Sequence, residues 1–262
     1  MNDIDDVPTP ARLDGLWTVV TGASKGIGFG IAEGFVAAGA HVMLVARGAE
    51  DLDRAAGELR KRAADGQVIT TARADTGDPA AFDELFEIIG SEFPRLDIYV
   101  ANAGSGTVTP FVDIPLDEWD RTMSLNLTGT FLGCQRAARA MIAGDSVGRA
   151  ILVVSSIRAF GARPGRLAYS VTKAGLNQLV RVAAYELATE RIRVNALLPG
   201  ITATPLALEG NPEVFAEMSA SVPLGRAGEP VDMAAAAVYL CGPTARFITG
   251  AQLVVDGGES LW

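Results

Sequence analysis

Seven short apolar runs constrain the fold of this chain more than any other feature of its sequence. Each run is continuously apolar rather than alternating, as in TVV, VMLV, ILVV and LVV, which is typical of parallel strands buried on both faces. Longer segments with helical periodicity separate the runs, and repeated strand–helix–strand units imply right-handed crossovers. The sequence therefore predicts an α/β fold with a doubly wound, seven-stranded parallel sheet and helices on both faces. The predicted strands are Trp17–Thr21, His41–Ala46, Val68–Ala74, Leu96–Ala101, Ala150–Ser155, Arg193–Leu198 and Gln252–Val255.

Local signals mark where individual helices begin and end. Ile27, Ile31 and Phe35 form one apolar stripe at helical spacing, and Gly39 follows as the residue that ends this helix. Asp78-Pro79 predicts the N-cap and first residue of a helix that continues through AAFDELFEII.

Nothing in the sequence divides the chain into separate units. No linker, low-complexity tract or short repeat interrupts it, so we expect a single domain over 13–262. The acidic, proline-containing segment 1–12 is predicted to be a disordered tail. The segment 202–222 is rich in Pro, Gly and Ala, and we expect it to act as a mobile substrate lid.

A glycine-rich loop lies between the first predicted strand and the first helix. Its sequence is TGASKGIG over 21–28, with Gly22, Gly26 and Gly28 spaced as GxxxGxG. Such glycines allow a tight turn, let the backbone approach a pyrophosphate and let the helix pack on the strand. The helix N-terminus then offers free N–H groups to the phosphates. The loop therefore predicts a dinucleotide cofactor.

The end of the second predicted strand indicates which dinucleotide is bound. A carboxylate at this place would bind two ribose hydroxyls of NAD, but Ala46 and Arg47 occupy it instead. Arg47 can hold a 2′-phosphate bidentately, and Lys25 in the glycine loop supplies a second cation. We therefore expect NADP(H) rather than NAD(H).

Ser156, Tyr169 and Lys173, in the second half of the chain, have the chemistry of an acid/base site. Tyr169 and Lys173 are four apart, so they share one face of a helix. A neighbouring ammonium favours the phenolate and lowers the pKa of a tyrosine. Ser156 ends the preceding strand, and its hydroxyl can hydrogen-bond the oxygen that the tyrosine protonates.

These motifs together resemble the short-chain dehydrogenase/reductase family, in its single-domain branch. The resemblance covers about residues 13–258. Within the family, the chain is similar to 3-oxoacyl-acyl-carrier-protein reductases. It rests on the order and spacing of the motifs, which are TGASKGIG at 21–28, Asp75, ANAG at 101–104, Asn126 in LNLTGTF, VVSS ending at Ser156, YSVTK at 169–173, VNALLPGITAT at 194–204 and TGAQLVVDGG at 249–258.

The resemblance implies a Rossmann-like fold and specific roles for matching residues. The implied catalytic residues are Asn126, Ser156, Tyr169 and Lys173. Tyr169 would be the acid/base, Lys173 would lower its pKa and hold the nicotinamide ribose, and Asn126 would anchor a water in a proton relay. The residues implied to bind the cofactor are Gly22, Ser24, Lys25, Gly26, Ile27, Gly28, Arg47, Asp75, Thr76, Asn102, Ala103, Gly104, Tyr169, Lys173, Pro199, Gly200, Thr202 and Thr204.

The function that follows is hydride transfer between NADP(H) and a carbonyl or secondary alcohol. The substrate would be a ketone, a 3-oxoacyl thioester, a sugar or a polyol. Arg158, Arg163 and Arg166 lie between Ser156 and Tyr169 and are candidates to attract an anionic substrate, although solvated or interface charges are the simpler interpretation. The resemblance also implies a homotetramer, or a homodimer.

Two other functions fit parts of the sequence. The GxSxG nucleophile elbow of hydrolases is matched by Gly22-Ala23-Ser24-Lys25-Gly26. That chemistry needs a histidine base that follows the serine and the acid in the chain. The only histidine, His41, lies 17 positions after Ser24 in the next predicted strand, and no histidine follows it. The second alternative is an NADP(H)-binding sensor without turnover, although all four catalytic positions are filled.

Composition and charge argue against several other classes of protein. The formal net charge of −9 disfavours nucleic acid and anionic membranes. One histidine and two cysteines without a CxxC pair give no basis for a metal site. There is no signal peptide or long apolar run, so we expect a cytoplasmic protein.

Overall fold

The computed structural model describes residues 12–208 and 212–261 and contains one parallel sheet. Its strand order is β3-β2-β1-β4-β5-β6-β7, and every neighbouring pair is parallel. The predicted seven-stranded α/β fold is therefore confirmed. The strands are β1 (Trp17–Thr21), β2 (His41–Ala46), β3 (Ile69–Arg73), β4 (Ile98–Ala101), β5 (Ala150–Val154), β6 (Arg193–Pro199) and β7 (Gln252–Val255).

Helices cover both faces of this sheet, and each face has its own apolar core. One core joins α1, α2 and α9 to the sheet, and the other joins α3, α5 and α6 to it. Neighbouring residues of β1 show the division, since Val20 faces the first core and Val19 the second. The helices are α1 (Gly26–Ala37), α2 (Ala49–Arg60), α3 (Ala81–Glu92), α4 (Leu116–Met123), α5 (Gly129–Ala143), α6 (Leu167–Leu187), α7 (Pro205–Leu208), α8 (Pro212–Ala220) and α9 (Pro230–Cys241).

The strand order reverses between β1 and β4. The chain winds outward from β1 to β3, then returns to place β4 on the other side of β1. In open parallel sheets, ligands bind beyond the carboxyl ends of the strands at such a switch point. The glycine loop follows β1, and the segment 102–104 follows β4. Both therefore reach the same crevice.

Two local predictions have different outcomes. The C-terminal signal of α1 is confirmed, because Gly39 has a positive φ of 96° directly after the helix ends. The predicted helix start at Asp78-Pro79 is wrong, because these residues form a turn and α3 begins at Ala81. The Asp78 carboxylate still accepts the N–H of Ala80, so its hydrogen bond closes the turn ahead of the helix.

Three expectations about domain organisation stay predictions. Residues 1–11 of the expected tail 1–12 lie outside the described residues, as do 209–211 within the expected lid 202–222. The described parts of that segment form α7 and α8. The single-domain assignment of 13–262 is compatible with one sheet but is not tested by it. No helix within the described ranges is long and apolar enough to span a bilayer.

Candidate active site

The glycine loop is held against β4 by a set of short-range polar contacts. Asn102 donates from its side-chain amide to the carbonyl oxygens of Thr21 and Gly22, at 2.9 and 3.2 Å. The Thr21 hydroxyl accepts the backbone N–H groups of Asn102 and Ala103. Sequence reasoning assigned Asn102 to the cofactor, but its amide group is used to join the two halves of the sheet at the switch point.

Gly28 is fixed by close packing. A Cβ on Gly28 would lie 2.3 Å from the Gly22 carbonyl oxygen and 2.4 Å from the Asn102 amide nitrogen. No side chain other than hydrogen fits there. Helix α1 begins at Gly26 with Lys25 as its N-cap residue, and no side-chain hydrogen bond caps it. The first N–H groups of the helix are thus available to an anion.

Arg47 lies immediately after β2 with most of its side chain in solvent. Its side chain is 69% exposed, and one guanidinium nitrogen is 3.9 Å from an Asp75 carboxylate oxygen. An exposed pair at this distance is weak, so the guanidinium can turn to a ligand at little energetic expense. Asp75 also accepts the backbone N–H of Gly77 and so closes the turn after β3.

Asn126 is completely buried in a π-helical turn, 124–128, between α4 and α5. Its side-chain oxygen accepts the N–H of Ser105 at 2.9 Å, and its amide nitrogen donates to the Ser105 carbonyl at 2.7 Å. The same nitrogen lies 3.3 Å from the Thr172 hydroxyl on α6. Asn126 therefore ties the loop after β4 to the helix that carries Tyr169.

Lys173 is buried beneath that loop. Its side-chain ammonium donates to the Val154 carbonyl oxygen at the end of β5, at 2.8 Å. Burial lowers its pKa from 10.5 to about 8. Its Nζ atom lies 5.5 Å from the centre of the Tyr169 ring.

Tyr169 faces Ser156 across the end of β5. Burial raises the pKa of Tyr169, and hydrogen bonding with Ser156 and the charges of Arg166 and Arg158 lower it. This differs from the sequence expectation, which attributed the lowering to Lys173. The lysine is buried and held by a backbone carbonyl, whereas the two arginines lie along the opening.

One cavity of about 1130 Å³ joins the glycine loop to Tyr169. Of the predicted site residues, Asp75 and Asn126 do not line it. Asn126 acts from behind the wall through Ser105. The predicted residues that do line the cavity are Gly22, Ser24, Lys25, Gly26, Ile27, Gly28, Arg47, Thr76, Asn102, Ala103, Gly104, Ser156, Tyr169, Lys173, Pro199, Gly200, Thr202 and Thr204.

The carboxyl end of β6 closes the cavity opposite the glycine loop. A Cβ on Gly26 would lie 3.3 Å from the Thr204 side chain, so Thr204 lies directly over the loop. The Thr202 hydroxyl donates to the Gly200 carbonyl at 3.1 Å. These contacts bring the predicted segment after Pro199 to the predicted phosphate-binding loop.

Sequence reasoning missed Glu259 at the end of the cavity that holds Tyr169. Glu259 pairs with Arg158 and accepts the N–H of Ile201, although 101 residues separate it from the arginine. Phe215 and Met218 on α8, which belong to the expected lid segment 202–222, line the cavity with apolar surface. Arg158, Arg163 and Arg166 all line the cavity. Sequence reasoning had left open whether they contact substrate or are solvated or interface charges.

The hydrolase alternative fails on geometry. His41 is the first residue of β2 and pairs with Trp17, whereas Ser24 follows the opposite end of β1. Four residues of parallel strand separate the two ends by about 13 Å. The His41 ring also stacks on Trp17 and accepts the Val68 N–H. No histidine can therefore act as base for Ser24.

Within the described residues, no group of three or more His, Cys, Asp or Glu side chains forms a metal site. The two cysteines, Cys134 and Cys241, are buried thiols that are not joined to each other.

Comparison with known proteins gives consistent matches along nearly the whole chain. A family model described as Enoyl-(Acyl carrier protein) reductase matches residues 22–260. A 3beta-hydroxysteroid dehydrogenase 1 of Eggerthella lenta is 36% identical over 252 residues, covering 95% of both chains. An NADP-dependent (R)-specific alcohol dehydrogenase of Lentilactobacillus kefiri is 35% identical, covering 94% of this chain and 97% of its own. A solved short-chain type dehydrogenase/reductase from Mycobacterium marinum superposes with a TM-score of 0.88 at 31% identity, covering 98% and 99% of the two chains.

Proposed function

This chain belongs to the short-chain dehydrogenase/reductase family, and on that premise we propose that it is an NADP(H)-dependent ketone or 3-oxoacyl thioester reductase. Membership makes it an oxidoreductase that acts on alcohol and carbonyl groups with a nicotinamide cofactor. The observation that carries the proposal is the meeting of Ser156, Tyr169 and Lys173 on one wall of the cavity that begins at the glycine loop.

The residues around the glycine loop fit a dinucleotide. Uncapped N–H groups of α1 are suited to a pyrophosphate, and the close packing of Gly28 keeps the loop backbone bare of side chains. Lys25 and Arg47 line the adenosine end, where they would hold a 2′-phosphate. Asp51 lies at the same end, but Arg54 pairs with its carboxylate. These contacts support NADP(H) over NAD(H).

The acid/base chemistry is assigned to Tyr169. In reduction it would donate its phenolic proton to the substrate oxygen, and in oxidation it would accept that proton. The Ser156 hydroxyl would hydrogen-bond the same oxygen and fix its position. A bound nicotinamide supplies the hydride donor or acceptor.

Two further side chains would keep this site in order. Lys173 would hold the nicotinamide ribose and hand protons onward from Tyr169. Asn126 would hold the loop after β4, and through it the end of a proton relay. Its buried amide is fully engaged with Ser105, which suits a positioning role.

The wall near Tyr169 supports a substrate with an aliphatic part beside its carbonyl. Val108, Ile157, Val214, Phe215 and Met218 supply apolar surface there. The steroid and alcohol dehydrogenases matched above act on hydroxyl-bearing carbon skeletons, and the matching family model is described by acyl-carrier-protein chemistry. These relatives support both a simple ketone and a 3-oxoacyl thioester.

The test measures NADPH oxidation with neutral ketones and 3-oxoacyl thioesters, and NADP⁺ reduction with the matching alcohols. We expect turnover by the wild type and its loss in Tyr169→Phe. Tyr239→Phe is the matched control, because Tyr239 on α9 is exposed and does not line the cavity. Turnover that persists in Tyr169→Phe would refute the assignment.

Cofactor choice has its own test. Arg47→Asp would repel the 2′-phosphate and offer a carboxylate to the ribose, so the ratio of kcat/KM for NADPH over NADH should fall by about tenfold or more. Lys61→Asp, at an exposed position just after α2, should leave the ratio unchanged. A wild type that uses NADH as well as NADPH would contradict the proposal.

A sensor without turnover is the weaker alternative, because the named relatives are dehydrogenases. Tight NADPH binding with no turnover in either direction would revive it.

Assembly and location are further parts of the proposal. Phe131 on α5 and Val171, Val182 and Tyr185 on α6 are exposed apolar side chains on the two long central helices. They support association into a homotetramer, or a homodimer, which light scattering would measure. Two buried thiols support a reducing, cytoplasmic location.

A further inference from the structure

The substrate end of the cavity carries an excess of positive charge. The chain as a whole has a net charge of −9, yet Arg158, Arg163 and Arg166 all line the wall near Tyr169. Among the described lining residues the single carboxylate is Asp51, which follows β2 and lies at the adenosine end. The substrate end is thus a local cationic region in an acidic protein.

One of the three charges is balanced within the protein. Arg158 forms an ion pair with Glu259, whose other carboxylate oxygen accepts the Ile201 N–H at 2.7 Å. Both side chains are largely buried. This pair joins the segment after β5 to the C-terminal segment after β7, so the place of Arg158 is fixed by the fold.

The other two charges are not balanced. In the described part of the chain, neither Arg163 nor Arg166 has a carboxylate within ion-pair distance. Arg163 donates to the sulfur of Met218 at 2.8 Å, and Arg166 donates to the Thr107 carbonyl at 3.3 Å. A thioether is a weak acceptor, and one long bond to a carbonyl leaves most of a guanidinium fork unused.

Their surroundings make this arrangement unfavourable without a ligand. Both side chains are partly buried. Burial and the charges of Arg158 and Arg166 lower the pKa of Arg163, and the charge of Glu259 offsets only part of this. Like charges gathered in a partly desolvated wall repel one another unless an anion lies between them.

Arg166 is also close to the reacting atoms. It is the N-cap residue of α6, three positions before Tyr169. A Cβ on Gly106 would lie 2.8 Å from the Tyr169 ring and 3.3 Å from an Arg166 guanidinium nitrogen, so the two side chains border the same small space. An anion held by Arg166 would lie within a few bonds of a carbonyl at Tyr169.

We propose that Arg163 and Arg166 bind an oxyanion, a carboxylate or a phosphate, that the substrate carries a few bonds from its carbonyl carbon. The inference rests on the proposed function, because it names the substrate class for that reaction. It favours oxo acids and phosphorylated ketones over neutral ketones. Each guanidinium fork can take two oxygens of such a group.

The test compares pairs of related substrates in which one member carries an anionic group and the other is neutral. We would measure kcat/KM with NADPH for 3-oxobutanoate against its methyl ester, and for dihydroxyacetone phosphate against dihydroxyacetone. The expected preference for the anion within a pair is about 10- to 100-fold, the range for hydrogen bonds to charged groups. A preference for the anion in the first pair would indicate that the site binds a carboxylate, and a preference in the second pair would indicate that it binds a phosphate.

Variants locate the preference. In Arg163→Gln/Arg166→Gln the ratio of anionic to neutral kcat/KM should fall to near one, and Arg163→Lys/Arg166→Lys should restore much of it. Arg246→Gln, which removes one exposed positive charge outside the cavity, should keep the wild-type ratio. A wild type without preference, or a double Gln variant that keeps it, would overturn the inference.

A failed inference is distinguishable from a failed function. Turnover of the neutral ester or of dihydroxyacetone without anion preference refutes only the oxyanion site. If the wild type turns over none of the four, calorimetric titration with 3-oxobutanoate and with dihydroxyacetone phosphate in the presence of NADP⁺ decides. Binding that is lost in the double Gln variant supports the site, and absence of binding to the wild type refutes it.

Discussion

Replacing Lys173 by Met should make the protein more stable at neutral pH while removing its activity. Lys173 is only 4% exposed, and its pKa is held near 8 instead of 10.5 by burial. Below pH 8 the ammonium is charged in both the folded and the unfolded protein. The folded state therefore bears the whole desolvation penalty there, and the methionine variant does not.

The size and pH window follow from the two pKa values. Holding the pKa near 8 instead of 10.5 corresponds to about 3 kcal/mol of penalty, at roughly 1.4 kcal/mol for each pH unit. Loss of the hydrogen bond to Val154 offsets about 1 kcal/mol of the gain in the variant. The net stabilisation of Lys173→Met below pH 8 is then about 2 kcal/mol.

The sign of the pH dependence is fixed by which state keeps the proton. Between about pH 8 and pH 10.5 the unfolded lysine is protonated and the folded one is not, so wild-type stability rises with pH relative to the variant. Above this window both states are neutral and the difference between the proteins has reversed sign, because only the wild type keeps the Val154 hydrogen bond.

Unfolding by guanidinium chloride, followed by tryptophan fluorescence, would measure the difference in the free energy of unfolding between about pH 7 and pH 10. Trp17 is a suitable reporter because it packs against Phe93 within the second core. Stability profiles of wild type and variant that run parallel across the range would refute the argument. A variant less stable than wild type at pH 7 would show that burial of Lys173 is favourable.

Two further predictions test other parts of the site. Gly28→Ala should weaken NADPH binding by at least about tenfold, because its methyl group would push apart Gly22 and Asn102. The control is Gly57→Ala, at a helix position with open space. Nucleotide fluorescence would measure the affinity, and an unchanged affinity in Gly28→Ala would contradict the packing argument. Arg166→Gln should raise the pKa of Tyr169, since the arginine charge lowers it, so the kcat/KM profile for oxidation of a neutral alcohol should move to higher pH. Arg166→Lys should keep the wild-type profile, and an unshifted profile in Arg166→Gln would show that this charge does not act on the tyrosine.

The sheet was predictable because its signal is local. A strand buried on both faces is largely apolar, so β1 and β2 could be assigned at their true ends. The edge strand β7 is partly exposed, and its short apolar run LVV was enough to place it. The prediction erred where a polar residue precedes a strand. The β4 run was extended back to Leu96, but the strand begins at Ile98, directly after the buried Asp97, whose carboxylate accepts the Trp17 N–H.

The glycine loop at one end of the cavity was predictable for a related reason. It is formed by backbone, and the glycines that free that backbone are visible as a motif. Gly22 and Gly28 are required by contacts to Asn102 and to each other, so their spacing reflects the geometry directly. Asn126 was found by family resemblance alone. Its π-helical turn and its contacts with Ser105 have no signature in the residues themselves.

The substrate end is encoded differently, and this explains why sequence reasoning stopped there. Its charges depend on partners far along the chain, since Glu259 neutralises Arg158 across 101 residues and leaves Arg163 and Arg166 unbalanced. Three arginines close together in sequence look alike until that pairing is known. The backbone of the glycine loop is thus visible in a local motif, whereas the charges near Tyr169 depend on a few side-chain contacts between distant parts of the chain. In this chain, those contacts leave two guanidinium groups beside Tyr169, and a substrate that lacks an anion would leave them repelling each other.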